Sequence, residues 1–319
     1  MSFSIIGTGS ATPKDIKTNN DLKEIVDTSD EWISTRTGIK QRHICSKESI
    51  TDLAVKAAKD ALLDANTRAE DIDLIMLATI SSDYITPSLA CLVQKNIGAI
   101  CPAFDLNAAC TGFIYALDIA ASYFESGRAN KILVIAADAM SRLLDFKDRA
   151  TCVLFGDAAS AVVLKKGDDL LSIKLTATGD EKALYAKNVN GNCPFKEETE
   201  IDTFLHMNGQ EIYKFAVTAM CNDIKDVIKT AEIETDKVSY VLPHQANIRI
   251  IEAAQKKLKI DVQKYLTNID KYGNTSAASI PLLLDEANKN GTFKNGDIIV
   301  LSAFGAGLTT GACVIRWNK

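Results

Sequence analysis

A chain of 319 residues, 47% of them apolar and with Leu, Ile, Val and Ala spread evenly along it, can bury a large core as one large or two moderate domains. Its net charge of −5 argues against a general nucleic-acid surface, so any anionic partner depends on a local basic patch. No apolar segment reaches the roughly 18 residues needed to cross a bilayer, and MSFSIIGTGSATP lacks the basic start and apolar run of a leader, so the expectation is a soluble, cytoplasmic protein away from membranes. The eight cysteines (Cys45, Cys91, Cys101, Cys110, Cys152, Cys193, Cys221, Cys313) are dispersed without a CxxC pair. That distribution predicts mostly reduced, buried and inert thiols, with neither a disulfide framework nor a zinc cluster.

In chain order, LAVKAAKDALLDANTRAEDIDLIMLAT (53 to 79) reads as an Ala-rich helix, an acidic turn and a buried strand. AFDLNAACTGFIYALDIAASYFESG (103 to 127) runs an apolar strand through two alanines to Cys110, Thr111 and Gly112, then into a helix burying Phe113, Leu117, Ala120 and Phe124. Cys110 is thereby placed at a helix N-terminus, where free N–H groups and the macrodipole favour negative charge, so its thiol is expected to ionise more readily than a free cysteine. A small residue filling a strand-to-helix corner satisfies the same pattern. KILVIAADAM (131 to 140) and FGDAASAVVL (155 to 164) follow as a strand and a strand introduced by a glycine turn.

The unit then recurs. FAVTAMCNDIKDVIKTAEIETDKVSYVL (215 to 242) repeats helix, turn and strand, and DIIVLSAFGAGLTTGACVI (297 to 315) repeats the later pair, with Phe304-Gly305 answering Phe155-Gly156. Such a duplication predicts an α/β fold with two covered sheets sharing a layer of helices. The halves are expected to span 1–165 and 166–319 and, with no Pro/Gly/Ser linker between them, to pack as one body.

The chain has three histidines. His244 follows the strand VSYVLP in the polar turn PHQAN, at a strand carboxyl end where sites gather in α/β folds. His43 reads as a solvated loop residue, and His206 as either a surface residue or a support to a site. Asn274, in GNTSAASIP at a helix entry, suits a cap or turn as well as a site. Phe304-Gly305-Ala306-Gly307 offers unobstructed backbone N–H groups, which fits an oxyanion hole or any tight turn. Arg249, Lys256 and Lys257 fall at i, i+7 and i+8 on one helix face, either solvated or a landing site.

Taken together, DEWISTRTGIKQRHI (30 to 44), TPSLACLVQ (86 to 94), CPAFDLNAACTGF (101 to 113), TCVLFGDAASAVVL (151 to 164), HMNGQEIYKFAV (206 to 217), VLPHQANIRII (241 to 251), GNTSAASIP (273 to 281) and SAFGAGLTTG (302 to 311) resemble the β-ketoacyl-acyl-carrier-protein synthase III family. PHQAN and GNTSAAS are the most specific of these, and the resemblance runs nearly end to end. It implies a thiolase fold of five αβαβα layers, usually a homodimer, that starts fatty-acid chains by joining acetyl-CoA or another short acyl-CoA to malonyl-acyl carrier protein with loss of CO₂ and CoA. On this sequence it implies Cys110 as nucleophile, His244 and Asn274 as hydrogen-bond donors to the malonyl thioester oxygen, and the N–H groups of Cys110, Gly305, Ala306 and Gly307 as the oxyanion hole. The same resemblance puts Trp32 against adenine, Arg36 and Arg149 near the CoA phosphates, and Thr28, Gly209 and Asn247 along the pantetheine tunnel. Thr86 and Phe304 are implied at the acyl pocket, Thr86 across the dimer interface, and Lys214, Arg249, Lys256 and Lys257 at the acidic carrier protein. No metal or redox cofactor is implied, since the CoA thioester is itself a substrate.

Two departures stand out. Many family members carry phenylalanine where this chain has Thr86, and the smaller residue predicts room for primers longer than acetyl, branched ones included. Ala306 replaces a common glycine but keeps the backbone N–H. Cys, His and Asn in this order also occur in papain-like cysteine hydrolases, whose cysteine normally lies in a CGSCW-like setting rather than AACTGF. A degradative thiolase needs a second cysteine where Ser302 to Gly305 stands. A condensing enzyme of a polyketide or alkylquinolone pathway shares the three residues, and a non-catalytic carrier-binding homologue would have lost one of them.

Overall fold

The computed structural model describes residues 2–188, 195 and 202–319, so Cys193 lies outside the described residues. The first half runs β1 (Ser2–Ala11), β2 (Asp15–Thr18), α1 (Asn19–Lys23), α2 (Asp30–Thr37), β3 (Gln41–Ile44), α3 (Ile50–Asp64), β4 (Leu74–Ala78), α4 (Leu89–Ile97), β5 (Ala103–Leu106), α5 (Gly112–Glu125), β6 (Lys131–Ala139) and β7 (Asp157–Gly167). Its sheet has the order β1-β7-β6-β4-β5, with β4 parallel to both β5 and β6, and β7 antiparallel to β6 and β1. All five residues of β4, Leu-Ile-Met-Leu-Ala, are buried, as expected of a strand covered on both faces.

The second half contains β8 (Leu170–Asp180), β9 (Leu184–Ala186), β10 (Leu205–Met207), α6 (Gly209–Thr230), β11 (Tyr240–Pro243), α7 (Ile248–Leu258), α8 (Ile269–Tyr272), α9 (Ser279–Lys289), β12 (Ile298–Gly305) and β13 (Gly307–Arg316). Its main sheet has the order β8-β13-β12-β11, with β11 parallel to β12 and the other pairs antiparallel. That is the first sheet's pattern again, and the counterpart of β5 shrinks to one parallel bridge between Val241 and Tyr265. The repeated unit read from the sequence is present as α3 with β4 and as α6 with β11. β7 extends to Gly167, past the expected division after residue 165, and the chain turns into β8 at Leu170.

Burial sets the layering. α9 buries eight of its eleven residues and α7 only four of eleven, so α9 belongs between the sheets and α7 on an outer face. One core joins α5 and α9 to the inner faces of both sheets through Phe113, Leu117, Phe124, Leu283, Val134 and Leu301. A second holds α3 and α4 on the outside of the first sheet, and a third holds α6 and α7 on the outside of the second. The result is five layers, α-β-α-β-α. Each fully buried Leu, Ile or Phe in the middle layer contributes about 1.5–3 kcal/mol.

Sequence accounts for the close fits. α3 starts on a capping box between Ser49 and Asp52 and lays Ala54, Ala57, Ala58 and Ala61 on the first sheet. The helix sits so near β1 that a Cβ at Gly7 or Gly9 would come within 2.4 Å of Ala61 O and 2.3 Å of Ala57 O, so both positions need glycine. Buried Asp285 of α9 ties the halves together, accepting from Thr8 Oγ1 at 2.7 Å, Ser10 Oγ at 2.5 Å and Lys289 Nζ at 2.8 Å. One difference between halves matters for the site: β12 and β13 form a tight hairpin, whereas residues 140–156 intervene between β6 and β7 and carry Arg142 and Arg149.

Candidate active site

A cavity of about 1570 Å³ opens at the carboxyl ends of the strands, and Cys110, His244, Asn274, Phe304, Gly305 and Ala306 all line it. Residues up to 196 positions apart in the chain are thus brought to one floor.

Cys110 lies in a single 3-10 turn, Ala109–Thr111, and α5 begins only at Gly112. The turn is sharp: Ala109 takes φ +47, a left-handed conformation costly for a residue with a Cβ. Thr309 clasps it to the glycine loop, with its Oγ1 donating to Ala108 O and Ala306 O, both at 3.1 Å, and 2.9 Å from Thr111 Oγ1. Gly305 must lack a side chain, because a Cβ there would stand 2.9 Å from the Cys110 nitrogen. Gly307 is exposed and outside the cavity wall, so the loop faces the cavity with Gly305 and Ala306.

The expectation of a readily ionised thiol is corrected. Burial pushes the Cys110 thiol up to about 12, only partly opposed by the Ser276 hydroxyl, because desolvation of a thiolate at this depth outweighs the benefit of the helix start.

His244 caps the end of β11, its N–H bonded to Ser302 O at 2.8 Å, its Nδ1 2.6 Å from Ser279 Oγ, and its ring edge-on to Phe304 at 5.3 Å. Burial lowers its pKa to about 3, so the imidazole is neutral at physiological pH. Ser279 Oγ accepts the Gln245 N–H at 3.4 Å, and with its own hydrogen given to Nδ1 the ring hydrogen is assigned to Nε2, which is then the donor. Asn274 is locked by backbone bonds to Leu154 and Gly156, and its Oδ1 accepts the Ser276 N–H at 2.9 Å, which leaves the amide Nδ2 as its donor end. The turn reading of Asn274 is therefore satisfied, and the residue also lines the cavity. Among the described residues, no group of three or more His, Cys, Asp or Glu is placed to hold a metal ion.

Nearer the mouth, Trp32, Arg36, Arg149, Gly209, Asn247, Lys214 and Arg249 line the same cavity. Trp32 sits on α2, whose N-terminus Ser29 caps. Arg36 and Arg149 each hold a guanidinium 4.7 Å from the Trp32 ring centroid. Arg149 also donates to Asp27 O at 2.7 Å. Thr28 and Thr86 do not line the cavity; Thr86 is exposed, and the neighbouring Tyr84 and Ile85 line the cavity instead. Lys256 and Lys257 are exposed on α7, away from the wall that Lys214 and Arg249 share.

Of the other histidines, His43 is half-buried on β3 rather than in a solvated loop: its Nδ1 is 2.6 Å from Pro13 O and its ring lies tilted against Tyr272 at 5.2 Å. His206 pairs with Asp202 at 2.8 Å and stacks on Tyr185, which lines the cavity. Sequence reasoning passed over Ser279, Thr309, the β9–β10 wall and the Arg142–Asp83 pair at 2.6 Å. For Ser279 a signal was present in the small polar run GNTSAAS, but nothing local gives its partner.

Comparison with known proteins gives the family and the fold. The family described as 3-oxoacyl-[acyl-carrier-protein] synthase III matches residues 104–179, and its C-terminal part matches 228–317. A β-ketoacyl-[acyl-carrier-protein] synthase III of Clostridium acetobutylicum is 48% identical, covering 100% of this chain and 99% of that one. The crystal structure of the Aquifex aeolicus 3-oxoacyl-[acyl-carrier-protein] synthase III superposes with a TM-score of 0.93 at 48% identity, over 99% of this chain and 100% of the other. The priming β-ketosynthase of the R1128 polyketide pathway has the same TM-score at 30% identity, covering 100% and 97%. The five layers are those of the thiolase fold, and the chain belongs to the 3-oxoacyl-[acyl-carrier-protein] synthase III family.

Proposed function

We propose that this protein is an initiating condensing enzyme that joins a short acyl-CoA to malonyl-acyl carrier protein through an acyl-Cys110 intermediate. The observation that carries the reading is the meeting of Cys110, His244 and Asn274 on one cavity floor, with His244 neutral and the donor ends of His244 and Asn274 fixed by Ser279 and Ser276. In the first half-reaction Cys110 Sγ attacks the acyl-CoA carbonyl, and the N–H groups of Cys110, Gly305 and Ala306 stabilise the oxyanion while CoA leaves. In the second, malonyl thioester loses CO₂, and hydrogen bonds from His244 Nε2 and Asn274 Nδ2 stabilise the enolate oxygen. Two neutral donors suit that charge, where carboxylates would repel it. The carbanion then attacks the acyl-Cys110 thioester and 3-oxoacyl-carrier protein leaves; this chemistry calls on no cofactor.

Trp32, Arg36 and Arg149 are the CoA head site, with Gly209 and Asn247 on the way in. Adenine would take the place that one guanidinium holds against Trp32, which the exposed Asp27 contact can release. Lys214, Arg249, Lys256 and Lys257 form the landing site for an acidic carrier protein. Exposed Thr86 fits an acyl-pocket wall, alongside Phe304, that is completed in a homodimer. Half 1–165 carries the nucleophile Cys110 and half 166–319 carries His244, Asn274 and the glycine loop, in a cytoplasmic enzyme. The test is to incubate the protein with acetyl-, butyryl-, isobutyryl- and hexanoyl-CoA, read acyl adducts by intact mass, and follow transfer to malonyl-carrier protein. An adduct on the wild type and none on Cys110→Ala is expected; no adduct on wild type, or one that survives the substitution, sinks the reading.

A further inference from the structure

Arg42, on β3, is the largest of the fully buried side chains among the described residues, yet nothing in the proposed chemistry uses it. Burial lowers its pKa to about 10, so the guanidinium stays charged at physiological pH. It forms no ion pair among the described residues. Instead Nη1 donates to Lys17 O at 3.2 Å and Asn19 Oδ1 at 2.9 Å, Nη2 donates to Val153 O at 2.8 Å, and Nε has no partner. A buried cation without a carboxylate is costly to a fold, and what this one supplies is a planar fork that holds three segments at fixed spacing. Two of those segments lead to the CoA head site. Asn19, with its Oδ1 on Arg42, donates from Nδ2 to Asp30 Oδ1 in the first turn of α2 and to Ile39 O just past the C-cap Gly38, both at 2.8 Å. Both ends of the helix that bears Trp32 and Arg36 are thereby fixed. On the other side, two turns join Val153 to Arg149, with Cys152 N–H on Asp148 O and Leu154 N–H on Thr151 O, each at 3.0 Å. Ile33, Ile39, Cys152 and Val153 share one apolar cluster, which draws α2 and the Arg149 turn together without direction, whereas the hydrogen bonds set their spacing.

We propose that Arg42 is a positioning residue for CoA, setting through Asn19 and Val153 the gap between Trp32 on α2 and Arg149 on its turn, where adenine is received. The assignment rests on the reading of Trp32, Arg36 and Arg149 as the CoA head site. Arg42 does not line the cavity, so it acts only through the residues it holds. Its influence is confined to the nucleotide end of the substrate. A pantetheine thioester has no adenine to place, and neither does a carrier-protein thioester, so both should be indifferent to it.

The test is steady-state kinetics with acetyl-CoA and with acetyl-pantetheine on wild type, Arg42→Lys, Asp30→Ala and Trp32→Ala. Lysine keeps the charge and the stem but cannot span the acceptors of the fork. Arg42→Lys is expected to raise the KM for acetyl-CoA about tenfold, the scale of one lost hydrogen bond to a charged group, with kcat unchanged. Its kcat/KM with acetyl-pantetheine and its KM for malonyl-carrier protein should stay at wild-type values. Asp30 is exposed, so Asp30→Ala carries the test alone if Arg42→Lys does not fold. Loss of a negative charge beside a phosphate site would by itself tighten CoA, whereas a severed link from Asn19 to α2 should raise the KM for acetyl-CoA several-fold. A wild-type KM for acetyl-CoA in Arg42→Lys, a lowered or unchanged one in Asp30→Ala, or equal losses on acetyl-CoA and acetyl-pantetheine overturn the assignment. An unchanged KM for acetyl-CoA in Trp32→Ala overturns instead the head-site reading on which it rests.

Discussion

The Cys110 turn and the Ser276 turn occupy the same place in the two halves, and their difference divides the chemistry. Each is a 3-10 turn opened by a residue in left-handed conformation, Ala109 at φ +47 and Ser276 at φ +54, and each leads into a helix of the central layer, α5 or α9. In the first half the second residue of the turn is Cys110; in the other half it is Ala277. The second copy carries its polar groups on the rim instead, with Asn274 before the turn, Ser276 opening it and Ser279 behind His244. Duplication thus supplied two equivalent corners beside one cavity, and the sequence put a cysteine in one and hydrogen-bonding polar side chains around the other.

Breaking each corner separately gives the largest effects. Cys110→Ala should abolish acyl loading yet still release CO₂ from malonyl-carrier protein, whereas His244→Ala or Asn274→Ala should load acyl groups but lose about 10²–10³-fold in decarboxylation, measured as CO₂ release. Loss of both half-reactions in every variant would show that the corners do not divide the work.

Next is titration, which should act on the two corners from opposite sides. His244 is held neutral at a pKa of about 3 against 6.5 in the free side chain. The unfolded chain therefore binds the extra proton, and stability falls as pH drops from about 6.5 towards 3, by on the order of a few kcal/mol. Cys110 is held protonated up to about 12 against 9.0, so the unfolded chain ionises first and stability falls as pH rises above about 9. Urea midpoints across pH should show His244→Gln flattening the acid limb alone and Cys110→Ala reducing the alkaline slope alone.

The clasp between the first corner and the glycine loop predicts a smaller change. Thr309→Val leaves the carbonyls of Ala108 and Ala306 without its hydroxyl, which should cost about 1–3 kcal/mol by denaturant unfolding and slow acyl loading more than decarboxylation. Smallest is the charge outside both corners: Lys256→Glu with Lys257→Glu should raise the KM for carrier protein several-fold at low salt, an effect that fades by 0.5 M salt as screening sets in, while acyl loading from CoA is unchanged.

Several features were legible in the sequence because they are local or repeated. Helical spacing of alanines in α3, the all-apolar strands and the recurring Phe-Gly step give the α/β duplication, since periodicity follows from the backbone geometry of each segment. Cys110, His244 and Asn274 were legible because each ends a strand or opens a helix with a polar or reactive residue in an apolar setting. Other features belong to the packed chain. His43 reads as a solvated loop residue, but it stands on β3 with Tyr272, 229 residues later, packed against it. The direction of the Cys110 pKa is the clearest case. A helix start is visible locally and favours the thiolate, but desolvation depends on distant segments, among them Ser276, Gly305 and the central helices, that close over the sulfur. Sequence alone determined which side chains stand at the corners; tertiary structure decided their charge states, their hydrogen-bond partners and the meeting of the two corners at one cavity, because burial and proximity sum over residues that no local pattern connects.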